Sequence, residues 1–166
     1  MKRLPLLAII LAIASPTPAL LFSAGVIFFP AGQPAPGAGT GAASGPMMAL
    51  AAYCGLLLAF GGAVHWGLAL DRPVLLAASG TASADTRRLL TGAIPLPVAW
   101  LGIQTLYLGH AVAGLIILMA GFGGLFAAER AAWRRGELPS GYLALRLWIT
   151  AVTLSCLALI VLTRLA

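Results

Sequence analysis

Charge is what this chain has least of. Only 8% of its 166 residues are charged, and the four acids Asp71, Asp85, Glu129 and Glu137 stand against ten bases. Soluble domains carry about 25% charged residues, so a water-soluble globule of this length could not cover its apolar surface. Lysine is nearly missing, since Lys2 is the one lysine beside nine arginines. The bases sit singly or in pairs between apolar runs. A nucleic-acid binder gathers them on a polar face, so nucleic acid is excluded as a partner. The two cysteines, Cys54 and Cys156, each lie in an apolar run without a CxxC partner. That excludes a disulfide scaffold and a thiolate metal framework, leaving two small hydrophobes for helix packing. No phosphate-binding or dinucleotide glycine fingerprint is present, and no Ser-His-Asp arrangement is legible. No cofactor is expected.

What is abundant is apolar sequence, 61% of the residues, with a mean hydropathy of +1.01. The first run covers residues 4–29, with Pro5, Pro16 and Pro18 bending any helix in it. Ala12-Ile13-Ala14 before Ser15 resembles a signal-peptidase site. Cleavage there would leave about 14 residues before Pro30, too few to cross a core of ~30 Å, so an uncleaved first span is expected. Residues 30–46 form a charge-free loop of small residues and proline. The second span, 47–70, is stopped by Asp71-Arg72-Pro73. Residues 74–88 read as a connector, with 79–85 as loop.

Residues 89–128 contain no charge at all. One helix of that length would measure about 60 Å, twice the membrane core. Two helices are therefore expected, 89–106, kinked by Pro95 and Pro97, and 111–128. Tyr107-Leu108-Gly109-His110 makes the turn, because aromatic and polar groups favour the interface. Residues 129–140 read as a polar connector. The last span is 142–165, with Arg146 about one turn inside its start. The expected fold is all-α, one domain over residues 1–166, an integral membrane bundle of five transmembrane helices.

Lys2, Arg3, Arg72, Arg87, Arg88, Arg130, Arg134 and Arg135 then share one side, Arg146 snorkels toward it, and Arg164 alone faces the other. The positive-inside rule makes the N-terminus cytoplasmic and the C-terminus outside. In the second span Ala51, Gly55, Ala59, Ala63 and Gly67 recur every four residues. Small residues let helix backbones approach closely in lipid. This ridge marks the second span as the bundle's centre and as a surface for other membrane helices.

Ionisable groups at membrane depth are functional suspects. His65 is the foremost, between Gly61-Gly62 and Gly67, about 9 Å inside the arginine-rich interface by helix rise. Trp66, Asp71, Arg72, Arg87, Arg88, Glu129, Tyr142 and Arg146 lie on the same side, and Tyr142 and Arg146 share a helix face. Together they form a candidate pocket for a small anion, a lipid head group or a proton. The alternative is a hydrogen-bonded knot that holds helix ends together. No acid falls within a span as drawn, so a cation-driven transporter would lack its intramembrane carboxylate. His65 and His110 lie toward opposite faces and do not share a haem iron within one chain.

Several segments carry a family likeness: Tyr53, Gly61 to Leu70 with its His65-Trp66-Gly67-Leu68-Ala69-Leu70 stretch, Arg88, Ile94-Pro95, Ala99-Trp100, Leu138-Pro139, Tyr142, Leu145-Arg146-Leu147 and Thr150-Ala151-Val152. With these the chain resembles the domain of unknown function 3429 (transmembrane protein 69-like) family, from the first span to the fifth. The resemblance implies a small multi-pass inner-membrane protein without an established activity, and His65, Trp66, Arg88 and Arg146 as its signature positions. The arginine-rich, alanine- and glycine-rich composition fits a GC-rich bacterial genome. The expected role is a non-enzymatic accessory or assembly partner in a bacterial inner membrane. The alternatives are a ligand- or proton-handling protein using the His65/Arg146 rim, and a quinone- or haem-associated redox component.

Overall fold

A computed structural model describes residues 6–29, 44–70, 81–138 and 141–165, and among these residues there is only helix and short turn. The helices are α1 (Leu6–Ala14), α2 (Thr17–Phe28), α3 (Gly45–Leu70), α4 (Thr81–Ala93), α5 (Pro95–Tyr107), α6 (Ala111–Arg134) and α7 (Tyr142–Leu165). They supply five stretches long and apolar enough to cross a membrane: Ile9–Phe28, Gly45–Gly67, Thr86–Tyr107, Ala111–Arg134 and Tyr142–Leu165.

Two spans are broken by proline. The first breaks at Ser15-Pro16, between α1 and α2. The Tyr53 hydroxyl of α3 donates to the Ser15 carbonyl there, and the Phe22 and Tyr53 rings pack tilted with centroids 6.3 Å apart. The third span breaks at Ile94, between α4 and α5. Pro95 and Pro97 have no N–H, so the carbonyls of Thr91 and Ala93 lose their ordinary helical donors.

Helix bounds depart most from the sequence reading at α4 and α6. α4 begins at Thr81, so residues 81–85 are helix rather than loop. Their alanines favour helix. α6 runs on to Arg134, so Glu129 to Arg134 are helical rather than connector. Charge marks the edge of the apolar run, but Glu, Arg and Ala are all good helix formers. What stops α6 is Gly136 at φ +73, where Gly136 N–H donates to the Trp133 carbonyl and Glu137 N–H to that of Ala132. The same closure ends α5 at Gly109, φ +93, inside the expected Tyr107–His110 turn.

α3 packs against α2, α4, α5 and α6, while α7 packs against α1, α2 and α6. The core is formed by Met47, Leu50, Leu58, Leu106, Leu115, Leu118, Phe122, Leu157 and Ile160, while Leu56, Phe60, Leu96, Trp100, Leu101, Ile116 and Leu162 point outward. Such an apolar exterior suits lipid. α5 and α6 cross almost backbone on backbone, since a Cβ on Gly114 would come within 2.6 Å of the Gly102 carbonyl oxygen.

The five-residue ridge of α3 does not stay on one face. Ala51 and Gly55 are buried, Ala59 is half-buried, and Ala63 and Gly67 are exposed. Each four-residue step turns a helix by about 400°, so the row drifts about 40° per step. Gly55 meets Ile103 and Ala99 of α5, whereas a Cβ on Gly67 would meet nothing within 4 Å.

Candidate functional site

The site is assembled by three helices that each keep a strict alternation of three- and four-residue steps on the buried face. On α6 the stripe is Leu115, Leu118, Phe122, Leu125, Glu129 and Ala132, all buried. On α7 it is Arg146, Ile149, Thr153, Cys156 and Ile160, also buried. On α3 it runs through Met47, Ala51, Cys54, Leu58, Gly61 and His65, buried likewise. These stripes bring a carboxylate, a guanidinium and an imidazole to one end of the bundle, away from the Tyr107–His110 turn.

Glu129 is the hub, with no exposed surface, and His65 and Arg146 are 2% and 6% exposed. Arg146 Nε donates to Glu129 Oε2 at 2.8 Å. The Tyr142 hydroxyl donates to Oε1 at 2.9 Å. His65 Nε2 lies 3.5 Å from the same Oε1 but makes no hydrogen bond among the described residues. Arg146 Nη2 is also buried without a partner among the described residues. The room for its guanidinium comes from Gly61, where a Cβ would sit 2.5 Å from Nη2 and 2.7 Å from Nη1. Farther along α7, the Thr150 and Thr153 hydroxyls are buried and unpartnered too.

Glu129 overturns the expectation that no acid lies within a span, because it belongs to the candidate span Ala111–Arg134. Charge resumes at this position in the sequence, which put Glu129 at the rim of the pocket rather than inside the span. Continuing the 115-118-122-125 stripe by one four-residue step would have put position 129 on the buried face.

Of the sequence-level candidates, the structure brings His65, Tyr142 and Arg146 together. Trp66 turns outward, and its indole N–H donates to the Leu89 carbonyl at 3.0 Å, clamping α3 to α4. Gly92 leaves the space that indole fills. Arg88 is buried on α4 near another acid, since Arg135 foremost, with Arg88 and Arg87, holds the Glu137 carboxyl below its ordinary range. Asp71 lies outside the described residues. Glu129 packs beside His65 and is nineteen positions along α6 from His110, about 28 Å at 1.5 Å per residue. One iron cannot bridge the two histidines of a single chain. Among the described residues, no three His, Cys, Asp or Glu side chains gather as a metal site would require.

A family model described as a protein of unknown function (DUF3429) matches residues 4–162. No curated protein and no solved structure matches the chain.

Proposed function

The chain belongs to the DUF3429 family, and from that premise we propose that it is a non-enzymatic multi-pass membrane protein that binds a proton at the His65–Glu129–Arg146 cluster. The supporting observation is His65 Nε2, buried 3.5 Å from a carboxylate oxygen and left without a hydrogen bond among the described residues. A knot built only for stability satisfies its buried polar atoms, because an unmade hydrogen bond costs about 1–3 kcal/mol. This cluster leaves His65 Nε2 and Arg146 Nη2 open.

The charges favour a proton over other ligands. Glu129 and Arg146 neutralise each other, so a second anion would face the Glu129 carboxylate. Both His65 and Glu129 are shut from solvent, so anything larger than water would have to part the helices. A proton on Nε2 needs no space and lies against the one buried acid of the cluster. The arginine bias of the sequence supports delivery from the cytoplasmic side of a bacterial inner membrane, with the N-terminus inside and the C-terminus outside.

The test is imidazole NMR of histidine-labelled protein in lipid nanodiscs, between about pH 5 and 9, with His110 as internal reference. The His65 signal is expected to change protonation state and to follow a different titration in Glu129→Gln. A His65 signal that ignores pH, or titrates identically in Glu129→Gln, rules the reading out.

A second reading, an accessory partner of membrane complexes, draws on the outward turn of Ala63 and Gly67 beside the exposed Trp66. Small residues on a lipid-facing strip are where another helix can approach. Ala63→Leu with Gly67→Leu would abolish co-purification of such a partner and leave the bundle folded.

A further inference from the structure

On the outer face of the α6–α7 pair, away from Glu129, lies a groove of about 470 Å³ lined by Phe126, Arg130, Trp133, Ala144 and Leu147, with Gly141 and Leu143 completing it. We propose that this groove is a binding site for an anionic phospholipid, with the phosphate on Arg130 and Arg134 and an acyl chain along Phe126 and Leu147.

Charge carries the assignment. Arg130 and Arg134 are both exposed, one helical turn apart on α6, and neither has a hydrogen bond or ion pair among the described residues. The acids close to them in sequence are already engaged, since Glu129 turns inward to Arg146 and Glu137 binds Arg135 at 2.6 Å. Among the described residues, the last turns of α6 therefore present uncompensated positive charge. They do so where the helix leaves the apolar layer, the depth of a phospholipid head group. Trp133, 46% exposed between the two arginines in sequence, supplies the aromatic group that favours this boundary.

The rest of the groove is apolar and reaches toward the bilayer centre. Phe126 is one turn deeper than Arg130, and Leu147 is 53% exposed beside it. A soluble phosphate would use only the arginines. A phospholipid uses both halves, which is why a lipid is the occupant.

Thermal unfolding in nanodiscs of phosphatidylcholine, with or without a minor fraction of phosphatidylglycerol, tests the site, together with lipid retention by native mass spectrometry. Wild type is expected to retain phosphatidylglycerol preferentially and to unfold at a higher temperature with it. Arg130→Gln is expected to weaken retention about fivefold, and Arg130→Gln with Arg134→Gln about thirtyfold. Arg130→Lys with Arg134→Lys should keep most of it, which separates lost charge from lost fold. Leu147→Trp, which fills the groove and keeps the arginines, should lower retention too. Equal retention of phosphatidylcholine, retention unchanged in the double Gln variant, or the same protection from inorganic phosphate alone would overturn the proposal.

Discussion

Arg146 of α7 and Glu129 of α6 form an ion pair with Nε and Oε2 2.8 Å apart, and both side chains are withdrawn from solvent. In sequence they are separated by a polar turn, and each sits on the core stripe of its own helix. Removing one partner strands the other charge in an apolar interior, which costs about 3–5 kcal/mol. Glu129→Gln and Arg146→Ala are each expected to destabilise by that much in detergent–SDS unfolding. The double variant Glu129→Gln with Arg146→Met should lose clearly less than the sum. Additive losses would mean that the two charges are not coupled. Tyr142→Phe removes one donor to the charged carboxylate and should cost about 1.5–3 kcal/mol.

Gly61 and Gly62 are neighbours with different duties. A Cβ on Gly61 would meet the Arg146 guanidinium, while one on Gly62 would meet the Gly92 carbonyl oxygen at 2.6 Å and Pro95 at 2.8 Å. Gly61→Ala is expected to cost about 1–3 kcal/mol in wild type and almost nothing in an Arg146→Ala background. Gly62→Ala should cost the same in both. Unfolding curves of the four variants check this pattern.

The α5–α6 crossing makes a similar contrast. Gly114→Ala drives a Cβ into the Gly102 carbonyl and the Leu106 backbone, and is expected to cost about 1–3 kcal/mol. Gly123 has open space around it, so Gly123→Ala should be neutral or gain up to about 1 kcal/mol from helix propensity. Comparing the folded fraction of the two variants after extraction tests which glycines hold the bundle together.

Glu137 gives the bundle a defined response to acid. Its hydrogen bond to Arg135 lowers the carboxyl's affinity for protons in the folded state, with help from Arg88 and Arg87. A depressed folded value contributes stability that is complete above the unfolded carboxyl range, about 4.3. That contribution is lost as pH falls through the lower folded value. The thermal midpoints of wild type and Glu137→Gln should therefore differ at pH 7 and converge in acid. Arg135 is 44% exposed, so salt should shrink the difference at pH 7. A gap that persists in acid would disprove the assignment.

Much of the molecule was legible in advance because lipid imposes it. Five apolar spans, the Tyr107–His110 turn and the bends at Pro16 and Pro95 follow from apolar length, from aromatic and polar groups at the interface and from proline. His65, Tyr142 and Arg146 were legible as one set, because polar residues near the same ends of spans converge. Glu129 was legible as a member of that rim but not as a buried acid within a span, since it stands at the first charged position after an apolar run and looks like a boundary. The α3 ridge misled in the opposite sense, because a four-residue repeat drifts around the helix and carries Ala63 and Gly67 to the outside.

Composition and the order of apolar runs were enough to establish a helical bundle immersed in lipid, since length and hydropathy act on each segment separately. Which carboxylate meets Arg146, which glycines touch a neighbouring backbone and which arginines stay uncompensated depended on how the helices rotate against one another. That rotation is set by side chains from different segments filling the same space. A property shared among segments is absent from any one of them and exists only once they are packed.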